Sequence, residues 1–318
     1  MQVQVLRIKR KTIARSLLLL FPMIFFCGHT AQAAGTVPLA LTDVVSYHPT
    51  DKSANTANQT HKDVANLTHP SEYIFSSPPR GDGAVESTYF KPIADYLTRV
   101  TGKKFVYKYS DNWLAYQSNM QKDVYDLVFD GPHFVSWRIS HRGHEPLVKI
   151  PGDFIFVFLV RKDNNSIQTL SNLAGHTVCG HAPPNQGTLH LYNMFTNPAR
   201  QPQLVEVQGW RNIYKEMIAG KCMGSVVPLK IYKELDPEGK DTKVLYTTKS
   251  APGQAFTASK RIPADIRAKI IEALMSPEGQ AVTAELRKQY PSRPYVRATK
   301  QEYEGEDVLL KDSFGFDS

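Results

Sequence analysis

The chain has 318 residues, 42% hydrophobic and 21% charged, with a formal charge of +8. Five of its 38 basic residues and none of its 30 acidic ones precede residue 34, so the remainder carries only +3 by difference. No block of Lys and Arg lies beyond that point, which argues against nucleic-acid binding, while length alone leaves one large core or two smaller ones open.

Arg7, Lys9, Arg10, Lys11 and Arg15 precede an apolar run over residues 16–28, and Ala31-Gln32-Ala33 follows with small residues around a larger one. At about 1.5 Å per residue the run covers roughly two thirds of a bilayer core about 30 Å thick. A cleaved secretory signal over residues 1–33 is therefore expected, not a membrane span. Cys27 leaves with it, and the bulky Phe25 and Phe26 before it argue against a lipoprotein processing site. Cys179 and Cys222 remain, an even count for an oxidising compartment. A disulfide between them and two separately buried small side chains are both open readings, because spacing does not show whether the Cα atoms come close enough.

Residues 34–70 are rich in Ser, Thr, Asn, His and Asp and have too little apolar surface to offset ordering, so a flexible arm is expected. Strands and helices then alternate. Residues 73–76 read as a short strand, and Tyr89, Ile93, Ala94, Leu97 and Val100 recur at helical spacing up to Gly102. A strand over 104–109, a helix over 112–122, a strand over 125–129 and a helix from Pro132 follow. Residues 154–160 form a continuous apolar run, as in a strand buried on both faces. After the turn cluster 161–165 the alternation restarts: strands at 176–180, 204–207, 223–227 and 243–246, with helices at 185–195, 210–219 and 229–235. Helices over 263–275 and 277–288 close the pattern.

This order predicts an α/β protein of two lobes, each a mainly parallel sheet flanked by helices, joined by crossing hinge strands. The expected boundaries are 71–160 plus 253–303 for the first lobe and 161–252 for the second, with 304–318 as a C-terminal tail. Four segments, in this order and spacing, resemble the periplasmic solute-binding proteins of the phosphate, phosphite and phosphonate type of ABC transporter, with the type II periplasmic-binding-protein fold. They are 125–132, 166–178 with its Asn172-Leu173-Ala174-Gly175, 261–274, and 293–303. The resemblance runs from about Tyr73 to Tyr303. It implies a periplasmic location, an interlobe cleft for a small anionic ligand, an inner-membrane ABC permease as partner, and no cofactor. The protein is expected to act as a monomer.

In open parallel sheets ligands lie beyond the carboxyl ends of strands, where helix N-termini offer free amides to an anion. The loop 181–188 fits that description, making Asn185, Gln186, Gly187 and Thr188 the candidate anion-facing residues. The corresponding strand ends of the first lobe add Ser76, Ser77, Trp113, Asp130 and His133. Trp113 also reads as a core residue, Asp130 as a cap for the helix at Pro132, and His133 as a donor to an anion or a ring resting on its own helix. Arg80 is a candidate because its planar fork matches phosphate-like groups. Gln254 occupies a position where aminophosphonate binders of the family carry an acid, so a free aminophosphonate fits poorly.

An enzyme is the main rival class. The chain has no His-Glu-x-x-His, no Gly-x-Ser-x-Gly elbow and no base placed beside Cys179 in sequence, so neither metal nor nucleophilic catalysis is expected. A ligand-presenting partner of a membrane sensor kinase is a further alternative, since both uses need a closing cleft.

Overall fold

The computed structural model describes residues 71–290, 293–311 and 316. The expected signal and arm lie outside the described residues. The chain starts with β1 (Tyr73–Ser76), α1 (Gly83–Thr101), β2 (Phe105–Tyr107), α2 (Trp113–Gln121), β3 (Leu127–Asp130) and α3 (Pro132–Arg142). Helix α1 begins ahead of Tyr89 because Asp82 caps it, its carboxylate accepting from the Ala84 and Val85 amides at 2.9 and 3.2 Å. Gly102 ends it in the left-handed region, φ 68°, donating to the Thr98 carbonyl.

Next come β4 (Glu145–Lys149), β5 (Asp153–Phe154), β6 (Phe156–Arg161), β7 (Thr177–Gly180), α4 (Gln186–Asn193), β8 (Gln203–Glu206), α5 (Trp210–Ile218), β9 (Gly224–Pro228), α6 (Leu229–Leu235) and β10 (Thr242–Thr247). The chain then returns through β11 (Ala251–Pro252) and β12 (Ala255–Ala258) to α7 (Ala264–Met275), α8 (Pro277–Val282), α9 (Ala284–Lys288) and β13 (Val296–Arg297). The single helix expected over 277–288 is two, α8 and α9, broken at Thr283.

Two separate sheets result. The six-stranded one runs β13-β4-β12-β3-β1-β2, and the five-stranded one β10-β6-β9-β7-β8. Parallel pairing holds for β2, β1 and β3 and for β9, β7 and β8, as the βα alternation predicts. The remaining strands, β12, β4 and β13 in one sheet and β6 and β10 in the other, pair antiparallel. Strand β6 belongs to the second sheet, whereas a boundary at residue 160 would leave most of it with the first lobe. The two segments passing between the sheets pair with each other, Phe154 opposite Ala251 and Asp153 opposite Pro252. Strands β4 and β12 were not legible in the sequence: β4 contains Pro146, and β12 is four residues of which only Phe256 is large.

The first lobe's core is aromatic, with Phe75 against Phe90 at 5.6 Å and Phe129 against Phe256 at 4.8 Å between ring centroids. The second lobe buries side chains on both faces of its sheet. There Cys179 and Cys222 are bonded, with Cα atoms 5.6 Å apart, tying β7 to the turn before β9. The C-terminal residues do more than trail: Leu310 and Phe316 are buried against Trp113, Phe134 and Trp137 of the first lobe, in a cluster that also contains Leu189 of α4. No described helix is long and apolar enough to cross a membrane.

Candidate functional site

Helix α4 starts as expected, but its first turn faces protein. Asn185 is the cap, its side-chain oxygen accepting from the Gly187 amide at 3.0 Å. Thr188 is fully buried and its hydroxyl donates to the His181 carbonyl at 2.5 Å, so that proton is engaged within the loop. A Cβ at Gly187 would lie 2.9 Å from the Phe156 ring and 3.1 Å from Val226, so the glycine permits close packing of α4 on the sheet. Gln186 differs: it is buried, yet its amide oxygen has no partner.

Across from this loop the first lobe shows the same division. The Ser76 hydroxyl donates to the Lys108 carbonyl at 2.7 Å, and Ser77 pairs with the Tyr107 hydroxyl at 2.9 Å. Asp130 does not cap α3, whose N-cap is Gly131. One carboxylate oxygen accepts from Tyr116, and the other from the Arg138 guanidinium at 2.6 Å, with both charged groups fully buried. Burial pushes the Tyr116 phenol up, and the Asp130 charge adds to it. Gln254 is buried, and its main-chain carbonyl accepts from the Ile150 amide at 2.9 Å.

Among the buried polar atoms without a described partner, those of His133, His181 and Gln186 lie at the lobe junction. His133 (α3) stacks on Phe134, and its Nε2 lies 3.1 Å from the Pro184 carbonyl on the second lobe. That nitrogen is the donor, because a carbonyl only accepts. Burial pushes His133 down to about 3, so the ring is neutral at ordinary pH and its partnerless Nδ1 is a bare acceptor. A Cβ on Gly131 would lie 3.3 Å from this Nδ1 and 3.9 Å from the Gln186 Oε1, which brings the two free acceptors together over one glycine. His181 is fully buried with neither ring nitrogen partnered. Its ring lies 5.9 Å from Trp113 and 4.3 Å, edge to face, from Trp210. Burial pushes it down to about 3 also, so it offers one donor and one acceptor.

Arg80 completes the group. Its guanidinium lies 6.0 Å from the centre of the Phe129 ring and has no carboxylate within ion-pair distance among the described residues. Burial lowers its pKa, but Tyr290, Glu86 and Asp130 nearby hold it above its ordinary value, and its positive charge reaches His133 and His181. Arg80 also lines a cavity of about 650 Å³ between the lobes, walled by Glu86 and Phe90 on one side and Trp210 and Leu229 on the other. This cavity sits beyond the carboxyl ends of β1, β8 and β9, where α1, α5 and α6 begin. Burial pushes Glu86 up to about 7, with Arg80 pulling in the opposite direction.

Sequence reasoning missed Trp210 and Glu86, and included His181 only as the start of its loop. The rule applied to α4 applies equally to the helices after β8 and β9, and would have pointed to Trp210. Among the described residues no group of three or more His, Cys, Asp or Glu comes together as a metal would need.

Comparisons with known proteins agree with this architecture. The model of the family described as ABC transporter, phosphonate, periplasmic substrate-binding protein matches residues 75–303. PhnD1 of Prochlorococcus marinus, solved with methylphosphonate, is similar at TM-score 0.61 and 12% identity, over 76% of this chain and 97% of that one. A Xanthomonas citri protein solved with ATP bound is similar at TM-score 0.59 and 15% identity, over 77% and 100%. A binding-protein component of an ABC phosphonate transporter from Pseudomonas aeruginosa is similar at 0.58 and 10%, over 73% and 83%. No curated protein matches the chain. At these identities the solved structures speak for the fold, two lobes of helix-flanked sheet, while the family match spans most of the sequence. The chain belongs to the phosphonate family of ABC-transporter periplasmic substrate-binding proteins.

Proposed function

We propose that the protein captures a singly protonated oxyanion of the phosphonate type between its lobes and hands it to an inner-membrane ABC permease. The observation that carries this is the set of unpartnered polar groups meeting there: His133 Nδ1 from the first lobe, both His181 nitrogens and Gln186 Oε1 from the second, beside the unpaired Arg80. Buried polar atoms without partners are rare in folded proteins and need an explanation. A ligand that supplies partners to both lobes is one, and by contacting both it favours the closed state.

The donor and acceptor inventory narrows the class. Arg80 and one His181 nitrogen supply donors to anionic oxygens, while His133 Nδ1 and Gln186 Oε1 demand a donor. A phosphonate monoanion carries both kinds of oxygen; a sulfonate has no O–H and would leave the acceptors unsatisfied, at about 1–3 kcal/mol each. That PhnD1 was solved with methylphosphonate supports the choice of ligand class. Calorimetry at neutral pH is expected to show methylphosphonate binding at least tenfold tighter than methanesulfonate, with the phosphonate recovered unchanged. Equal affinity for the two, or no heat with either, would refute the proposal.

A further inference from the structure

We infer that the natural ligand joins its anionic head to an apolar organic body, an aryl or long-alkyl phosphonate or phosphate monoester, and is not a bare oxyanion or a one-carbon phosphonate. This rests on the oxyanion reading above and adds what the remainder of the cleft recognises. Arg80 belongs both to the polar cluster and to the cavity of about 650 Å³. At roughly 30 Å³ per heavy atom, water's share of its liquid, a head of five heavy atoms fills on the order of 150 Å³. Most of the cavity therefore lies beyond anything a one-carbon ligand would occupy.

The walls of that extra space are more apolar than polar. Tyr89 and Phe90 of α1, Phe154 of β5, Trp210 of α5, Leu229 of α6 and Tyr290 face it. Most of the charges around it already have partners. Glu234 is paired with Arg211 at 2.5 Å and Lys230 at 3.3 Å, and Asp153 accepts from the Ser250 hydroxyl at 2.7 Å. The Lys230 ammonium also donates to the Lys288 carbonyl at 2.5 Å, a contact from the second lobe to the first at the cavity's edge. Arg80 stays unpaired at the end shared with His133 and His181. Trp210 links the two regions: its ring meets His181 at 4.3 Å and Phe156 at 5.7 Å, and it lines the cavity. Lys233 and Glu86, which also line the cavity, have no ion pair among the described residues, but Arg80 is the cation at the end shared with the histidines. Aromatic surface ending in a cation matches a ligand of the same polarity, an apolar body with one charged end.

The test compares phenylphosphonate, methylphosphonate and inorganic phosphate by calorimetry on the purified protein. A single methylene matched in an apolar pocket is worth roughly tenfold or more in discrimination, so phenylphosphonate is expected to bind at least tenfold tighter than either of the others. Methylphosphonate or phosphate binding as tightly as phenylphosphonate would overturn the inference and leave the oxyanion reading standing. Silence from all three would overturn both. The second arm uses Val85→Trp, a 48% exposed position on the cavity wall where a larger ring projects into the space without disturbing the core. The phenylphosphonate-to-methylphosphonate affinity ratio is expected to fall at least tenfold in this variant, and an unchanged ratio would overturn the inference.

Discussion

Two arginines in the first lobe lie near Asp130 and Tyr116, and exchanging them one at a time separates binding from folding. Arg138 is wholly buried and donates to Asp130 at 2.6 Å and to Tyr116 at 3.1 Å. Replacing it, as in Arg138→Met, leaves the Asp130 carboxylate buried and uncompensated, a loss of about 3–5 kcal/mol of stability. Among the described residues Arg80 has no carboxylate within ion-pair distance, and the Phe129 face lies beneath it. Arg80→Gln forfeits that cation–π contact, about 0.5–1 kcal/mol, and little else in the unliganded fold. If Arg80 holds the anion, however, its removal costs about 2 kcal/mol or more of binding, a rise in Kd of roughly 30-fold or greater. Urea denaturation reads the first quantity, and methylphosphonate titration by calorimetry the second. Arg80 does not hold the anion if Arg80→Gln binds methylphosphonate within threefold of the parent, and it is a structural residue if Arg80→Gln loses as much stability as Arg138→Met.

Four further outcomes are expected. Reducing the bond between Cys179 and Cys222, 43 residues apart, or replacing both by Ala, lowers stability by about 4 kcal/mol on the chain-entropy account; a shift in the urea midpoint equivalent to under 1 kcal/mol would contradict it. Burial holds His133 and His181 down at about 3 and His190 at about 4, below the ordinary 6.5. Their contribution is present above 6.5 and is lost as pH falls toward those values, because the unfolded chain takes up protons first. Replacing His190 by Gln should therefore flatten the fall in stability between pH 6 and 4, and an unaltered slope would count against the assignment. Glu86, raised by burial to about 7, becomes charged beside Arg80 as pH rises through that value. The methylphosphonate affinity of the parent relative to Glu86→Gln should drop from pH 6 to 8, and a constant ratio would show that Glu86 does not face the anion. Leu310, 1% exposed at the junction of α3 and α4, costs about 2–5 kcal/mol on replacement by Ala; a loss below 0.5 kcal/mol would mean the C-terminal segment does not hold the lobes.

The candidate site divides according to whether a residue's role is set by its own segment or by which group takes up its polar atoms. The sequence carried the local facts: that Asn185 caps a helix, that His181 follows a strand, and that Arg80 lies in a loop after one. It carried no sign that Asp130 would be taken by Arg138 on the next helix, or Thr188 by a carbonyl in its own loop, because a hydroxyl or carboxylate reads the same whether its partner is protein or solute. Gly187 shows the same ambiguity: close approach was legible, but what approaches, the Phe156 ring, lies in another strand.

By itself the sequence determined the α/β order, the two-lobed architecture and the family, because helical and strand periodicity and the order of short segments are properties of neighbouring residues. Only the tertiary structure decided which polar groups are left over. Whether a buried nitrogen or oxygen is satisfied depends on atoms brought beside it from distant segments, as Gly131 and Gln186 are. The unpaired Arg80, His133 Nδ1, His181 and Gln186 Oε1 emerge only when both lobes are in place.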